Sequence, residues 1–450
     1  VFLTRRELIA LAAAAPGFAK KKTAPPPNVV LVIVNDLGAW MLGCYGNQEI
    51  RTPNIDLLAR TGSRFISHNA CSPAGSPGRA TLLTGRAPRQ HGILDDIAPD
   101  AQKEVPASFA QEIMISDVLA GRGYNCGYVG TWGLGNAASP QHGFRFWYVM
   151  TGGAYNDPTI SRNGDVSTER GYTPELFTRA AVDFIGRQKA GQPFFLVVSH
   201  LAPSAPYEGH PQKYYDMYAS VPFTTVRWER PAANASGGKE YLADMVGNLR
   251  RCAAGVTALD DQLPLLLKSL DGAKLRDNTL IVFTSANGVL LGRHGLWGDG
   301  HASFPANMYE EVMRTPMIWN WYGKAPPESE RPEIASAYDL LPSLCEATGT
   351  AVPAGRNLCG RSYLPVITNR LLPRKQEWVN EAYGQLGDTE MARDSRYKLV
   401  LRAGGQGPGE MYDLRADAFE TTNQYDNAEY VSVRNDLTKA LEGWRKRYAQ

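Results

Sequence analysis

Gly75-Ser76-Pro77-Gly78-Arg79-Ala80-Thr81-Leu82-Leu83-Thr84-Gly85-Arg86 is the stretch of this 450-residue chain that decides its fold. Small residues, a proline and an arginine run straight into a short apolar segment closed by Thr-Gly-Arg. Upstream lies Asn28-Val29-Val30-Leu31-Val32-Ile33-Val34-Asn35-Asp36-Leu37-Gly38, an apolar run ending in a polar pair. Gly43-Cys44-Tyr45-Gly46-Asn47 and Thr52-Pro53-Asn54-Ile55-Asp56-Leu57-Leu58-Ala59 follow it. Downstream come Gly130-Thr131-Trp132-Gly133-Leu134-Gly135, Pro203-Ser204-Ala205-Pro206 and a second apolar run, Leu280-Ile281-Val282-Phe283-Thr284-Ser285-Ala286-Asn287-Gly288. Then follow Gly292-Arg293-His294-Gly295-Leu296-Trp297-Gly298 with Asp299-Gly300, Tyr309-Glu310-Glu311-Val312-Met313-Arg314-Thr315-Pro316, and Asp339-Leu340-Leu341-Pro342-Ser343-Leu344. Met411-Tyr412-Asp413-Leu414 and Glu420-Thr421-Thr422-Asn423 stand near the C-terminus.

From residue 28 the chain alternates short β-branched runs with helical patterns, which signals an α/β fold with a mostly parallel central sheet between helices. The runs at 29–34, 194–198 and 280–284 are apolar throughout, as strands covered on both faces require. Helices are expected over 174–189, 239–270 and 339–347. Residues 204–238 are rich in Tyr, Pro and Trp without a clean period and read as a long excursion over a pocket. Its aromatic residues Tyr207, Tyr214, Tyr215, Tyr218 and Trp228 either pack that excursion or offer faces for sugars, packing being the favoured reading. After about residue 371 shorter alternating stretches and turns give way to a final helix near 432–448, a small antiparallel sheet with one helix. The expected organisation is a leader over 1–19, an extended Pro-rich linker over 20–27, a main domain over 28–370 and a C-terminal subdomain over 371–450.

A chain with 43% hydrophobic residues buries a large core, and a net charge of only +2 gives no field for steering nucleic acid. Thr4-Arg5-Arg6-Glu7-Leu8-Ile9 resembles a twin-arginine export signal, and the apolar stretch behind it is too short to span a bilayer. The expected location is therefore exported, periplasmic or secreted, with a short surface helix as the rival reading. No other stretch approaches the roughly 18 apolar residues of a membrane span. The six cysteines show no CxxC spacing, which argues against a structural zinc site. A Cys345–Cys359 pair in an oxidising compartment is left open.

These ordered segments resemble those of the sulfatase family, within the alkaline phosphatase-like superfamily, over almost the whole chain. The resemblance implies a formylglycine, made from Cys or Ser, whose hydrated aldehyde attacks the sulfur of a sulfate ester. At that position stands Gly75, with no side chain to oxidise. The family binds calcium or magnesium with two acidic residues after the first strand and an Asp-Asn pair after a later one. Here the pairs read Asn35-Asp36 and Ala286-Asn287, one carboxylate in four positions. The sulfate-clamping lysine becomes Thr131, and the histidine near the nucleophile becomes Gly133. The histidine serving the leaving oxygen becomes Ser204, and the second sulfate-binding lysine becomes Asp299. Arg79 matches the signature arginine, either holding the turn or binding an anion, and His294 and His301 are each a binding residue or a packed one. Cys71 reads as a core thiol rather than a displaced nucleophile.

Nucleophile, charge neutralisation and leaving-group acid all lack their family form, and no substitute Asp and His cluster stands out by motif. The primary expectation is a pseudosulfatase that binds a glycan, sulfated or not, or another small ligand in a degenerate pocket without cleaving it. No cofactor is expected beyond weak calcium or magnesium at a vestigial Asp36, Asn287, Asn35 set. The alternatives are an active sulfuric-ester hydrolase using Asp36, Asn287, Arg79, His294 and Asp299, or a partner protein in an oligomer.

Overall fold

The computed structural model describes residues 25–97, 105–106, 109–189, 191–369 and 378–449. The expected leader, most of the linker and the expected boundary at 370/371 lie outside these described residues.

The main-domain strands in chain order are β1 (Asn28–Val34), β2 (Ser63–Asn69), β3 (Asn125–Thr131), β4 (Phe146–Gly152), β5 (Thr159–Arg162) and β6 (Asp165–Thr168). They continue with β7 (Phe194–His200), β8 (Thr279–Ser285), β9 (Arg314–Thr315), β10 (Met317–Trp321) and β11 (Ser329–Ser336). Among the described residues they form one sheet in the order β11-β2-β10-β8-β1-β7-β3-β4-β5-β6, with β9 paired to β2. The centre is parallel: β1 runs parallel to β7 and β8, and β3 parallel to β7 and β4. Only β10 interrupts it, antiparallel to both β8 and β2. Every residue of β1, β7 and β8 is buried, as their unbroken apolar runs require of strands covered on both faces. Each aliphatic side chain so buried contributes roughly 1.5–3 kcal/mol.

Register places the site. Val34 pairs with His200 on one side and Ser285 on the other, so the three central strands end level. Residues 35–36, 201–204 and 286–287 therefore leave the sheet side by side at its C-terminal edge, where open α/β sheets gather ligands.

Most expected elements appear within a residue or two, including a helix at Thr173–Gly186 and one at Leu340–Ala347. The single helix expected over 239–270 is instead three: Lys239–Ala243, Met245–Asp260 and Leu263–Gly272. Asp244 leaves helical geometry and its side chain caps the second helix through Gly247, while a proline opens the third. In the excursion, Tyr207, Tyr214 and Tyr218 are buried, which is the packing role, whereas Trp228 is 66% exposed. All six cysteines are free, so the Cys345–Cys359 pairing left open by the sequence is not made; the Cys359 thiol faces the Gly85 carbonyl. Cys71 is a buried thiol, with burial pushing its pKa up to about 12.

The C-terminal subdomain is the expected antiparallel sheet: β12 (Ala382–Leu386), β13 (Thr389–Arg393), β14 (Tyr397–Arg402) and β15 (Glu410–Asp413), in sequence order. The helix Val431–Arg447 lies against it with Leu437, Leu441 and Trp444 buried on one face, spaced four and three residues apart. Lys398, wholly buried on β14, ties this sheet to the main domain through Glu310 at 3.0 Å and meets Glu420 of its own subdomain at 2.6 Å.

Candidate functional site

The helix Gly75–Thr84 points its first residue at the ends of the central strands, and all ten of its residues are buried. A Cβ built on Gly75 would lie 3.4 Å from Asn35 Nδ2 and 3.6 Å from Asp96 Oδ1, which is ordinary contact. A side chain thus fits here, and the glycine is not demanded by crowding. Beside it, Asp96 Oδ1 accepts the Ser76 backbone N–H at 2.7 Å. A carboxylate of the chain itself therefore sits at the helix N-terminus, where backbone N–H groups favour an anion.

Arg79 is only 1% exposed and lies inside the site. Its Nη1 donates to Tyr128 Oη at 2.9 Å, to the Thr131 carbonyl at 2.7 Å and to Ser199 Oγ, and its Nη2 donates to Asn35 Oδ1 at 2.8 Å. Every partner is neutral. Its Nε has no partner, and a Cβ on Gly133 would stand 3.5 Å from it. Gly133 has a φ of +64°, so a larger residue there would be strained as well as forced toward the guanidinium.

Asp36 sits in left-handed backbone, φ 54°, a conformation that functional sites often retain. Asn287 Nδ2 donates to its Oδ1 at 2.8 Å, and its own N–H donates to Asn287 Oδ1 at 3.3 Å. Burial, with the neighbouring carboxylates of Asp299 and Asp96, pushes its pKa up to about 6 against hydrogen bonds from Ser204 and Asn287. Asp299 and Asp96 stand with His301, their ligand atoms all within 4.8 Å of one another. His301 bridges Asp95 Oδ1 at 2.6 Å and Asp299 Oδ1 at 3.1 Å. Hydrogen bonding to Asp299, with the surrounding acids, raises its pKa to about 10 despite partial burial.

The tertiary structure thus brings Gly75, Arg79, Asn35, Asp36, Asn287, Thr131, Gly133, Ser204 and Asp299 together, as the sequence proposed. It also brings Asp96, Asp299 and His301 into a cluster that no motif signals. Asp95 and Asp96 were missed because they lie outside every matched segment; a pair of acids shortly after Thr84-Gly85-Arg86 was the only available signal. His294 is engaged elsewhere. Its ring stacks on Tyr309 with centroids 3.7 Å apart, and its Nε2 meets Glu311 at 3.3 Å.

A sulfatase family profile matches residues 27–350. The chain belongs to the sulfatase family. An N-sulphoglucosamine sulphohydrolase C-terminal profile matches residues 299–447. The chain is 26% identical to an N-acetylglucosamine-6-O-sulfatase of Bacteroides thetaiotaomicron, covering 98% of this chain and 90% of that protein. Among solved structures, one in complex with its substrate D-glucosamine-2-N,6-O-disulfate superposes with a TM-score of 0.82 at 23% identity, covering 94% of this chain and 98% of the other. A putative sulfatase of Bacteroides fragilis gives a TM-score of 0.81 at 24% identity, covering 96% and 98%. Both likenesses establish the sulfatase fold.

The divalent ion implied by the family does not fit the residues at its place. Hard cations take six or more oxygens, several of them anionic. Asn35 offers its oxygen to a guanidinium, Ala286 offers no side chain, and Asn287 and Asp36 hydrogen-bond to each other.

Proposed function

We propose that this sulfatase-family chain binds a glycan at the pocket above Gly75 without formylglycine-dependent hydrolysis. The observation that carries this reading is Gly75 itself, a position with room for a side chain and none present. The chemistry around it points the same way. A sulfate ester needs cations on its oxygens, yet the clamp positions hold Thr131, Gly133 and Asp299, and Arg79 is spent on neutral partners. Losing one such donor costs about 10²–10³ in rate, and the losses coincide here with loss of the nucleophile. The glycan class is supported by relatives and neighbours named for N-acetylglucosamine-6-O-sulfate and disulfated glucosamine. Three carboxylates facing the pocket favour a hydroxyl- or amine-bearing face of such a sugar over its sulfate. Export by the twin-arginine-like segment belongs to the same proposal, as does action as a soluble or oligomeric partner.

One observation favours a second reading. Asp36 with a pKa near 6, beside Asp96, Asp299 and His301, is a set of titratable groups able to move protons, so an ester hydrolase with a rearranged site also has a residue basis. Sulfate release from aryl sulfates and sulfated polysaccharides, followed by ion chromatography, separates the two. Release above a boiled control that disappears in Asp299→Asn establishes the hydrolase. No release, together with glycan binding that Asp299→Asn alters, establishes the binder.

A further inference from the structure

At the other end of the Gly75–Thr84 helix lies a cavity that none of this chemistry uses. The helix ends at Gly85, whose neighbours Tyr338 and Leu358 lead to Cys359 and Arg361. Ten helical residues separate the two ends, about 15 Å at 1.5 Å per residue. There the main domain and the helix Val431–Arg447 enclose about 510 Å³. That is within the roughly 300–1,000 Å³ of small-molecule sites.

Its chemistry is the reverse of the pocket at Gly75. The wall is aromatic: Trp444 and Tyr383 lie nearly parallel, centroids 5.0 Å and planes 13° apart, and Tyr448 meets Trp444 at 5.8 Å. The charges are mostly positive. Lys439 and Arg447 lie two turns apart on one helix face, and neither has an ion-pair partner among the described residues. Of the lining acids, Glu381 is occupied by the Tyr383 hydroxyl at 2.7 Å, and Asp339 is buried among backbone donors from Ser336 and Arg361. Between the two cations stands Gly443, inside the helix one turn from its end. It has no positive φ to require glycine, and a Cβ there would meet nothing within 4 Å. A helix-interior glycine weakens a helix relative to alanine, and packing does not explain this one. Its effect is to leave the cavity floor open between Lys439 and Arg447.

We propose that this cavity is a second binding site, for an anionic oligosaccharide. A sugar ring lies against the edge of the mutually stacked Trp444–Tyr383 pair, and its sulfate or carboxylate groups meet Lys439 and Arg447. An apolar ligand would leave Lys439 and Arg447 without partners, whereas a hydroxylated anion supplies them. The site stands apart from the reading of the Gly75 pocket and survives or fails without it.

The test is calorimetric titration of the full chain with three hexasaccharides: heparin-derived, hyaluronan-derived and neutral chitohexaose. The heparin and hyaluronan arms distinguish sulfate from carboxylate as the anion. At least one charged arm is expected to bind about tenfold or more tighter than the neutral one, with affinity falling as salt rises. Gly443→Leu should fill the floor, keep a thermal midpoint at or above wild type, and weaken that binding about tenfold or more. Lys439→Ala with Arg447→Ala should weaken it and flatten the salt dependence. No binding by either charged arm, equal binding of the neutral one, or full binding by a folded Gly443→Leu protein would overturn the proposal. Binding lost in Asp299→Asn but intact in Gly443→Leu would also overturn it, while supporting a glycan in the Gly75 pocket.

Discussion

Gly75 opens a buried helix at the ends of the central strands, at a position with room for a side chain. A Cβ at Gly75 has only ordinary contacts, so Gly75→Cys should fold with stability changed by less than about 1 kcal/mol. Even when the cysteine is converted to formylglycine, it should release no sulfate, because Thr131 and Asp299 stand at the clamp positions and Asn35 and Ala286 at the metal positions. Thermal melts with a sulfate assay check both halves; turnover by this single variant would overturn the binding reading. The metal position gives a complementary prediction. Chelator should leave the wild-type melting point unchanged. Asn35→Asp with Ala286→Asp should gain calcium-dependent stability, by about 2.7 kcal/mol at a hundredfold excess over Kd. His301 offers a third test at this scale. Its pKa is raised to about 10 from an ordinary 6.5, so its contribution is complete below 6.5 and lost as pH rises toward 10. Because the ring is 42% exposed, the effect should be modest, and His301→Gln should flatten the alkaline fall in melting temperature rather than remove it.

Between elements, the most consequential contact is the ionic joint between the main domain and the small sheet. Lys398 is fully buried and meets two carboxylates, and Arg393 reaches Glu310 at 2.7 Å. Burial alone would push the Glu310 pKa up, but Arg393 and Lys398 outweigh it and hold it at about 2. Removing one partner of such a buried set leaves an uncompensated charge, which typically costs about 3–5 kcal/mol. Lys398→Met should therefore lower stability by about that amount in denaturant melts. A loss below about 1 kcal/mol would mean that water reaches the joint.

Across the whole molecule, buried carboxyls and buried histidines set the pH profile together. Burial is the leading cause that pushes Asp36, Asp260 and Asp339 each up to about 6. A carboxyl raised on folding contributes fully below its unfolded value, near 3.9, and loses that contribution as pH rises through 6. His301 adds to the same alkaline fall. Glu310 acts oppositely, its share being lost as pH falls from 4.5 toward 2. Burial holds His68, His91, His200 and His210 below the usual histidine range, so their share is lost as pH falls below 6.5. The sum places maximal thermal stability between about pH 5.5 and 7. A series of melts from pH 3 to 10 tests this, and a maximum at or above pH 7.5 would contradict it.

The sequence by itself determined the fold and which residue types stand at the site positions. Unbroken apolar runs specify buried parallel strands, and the ordered segments around Gly75 to Arg86 fix which strand ends meet. The absent side chains at Gly75, Gly133 and Ala286 were legible because no folding can restore them. Local breaks were harder to read. Asp244 caps a new helix only because the chain turns there, so residues 239–270 carry a nearly continuous helical pattern over three separate helices. What only the tertiary structure decided is which side chains converge across long separations. Asp96, Asp299 and His301 meet through loops that share no motif, and His294 turns to Glu311 and Tyr309 rather than to the pocket. The reason is physical. Secondary structure follows from local periodicity, whereas a pocket's charge is a sum over residues brought together by packing alone.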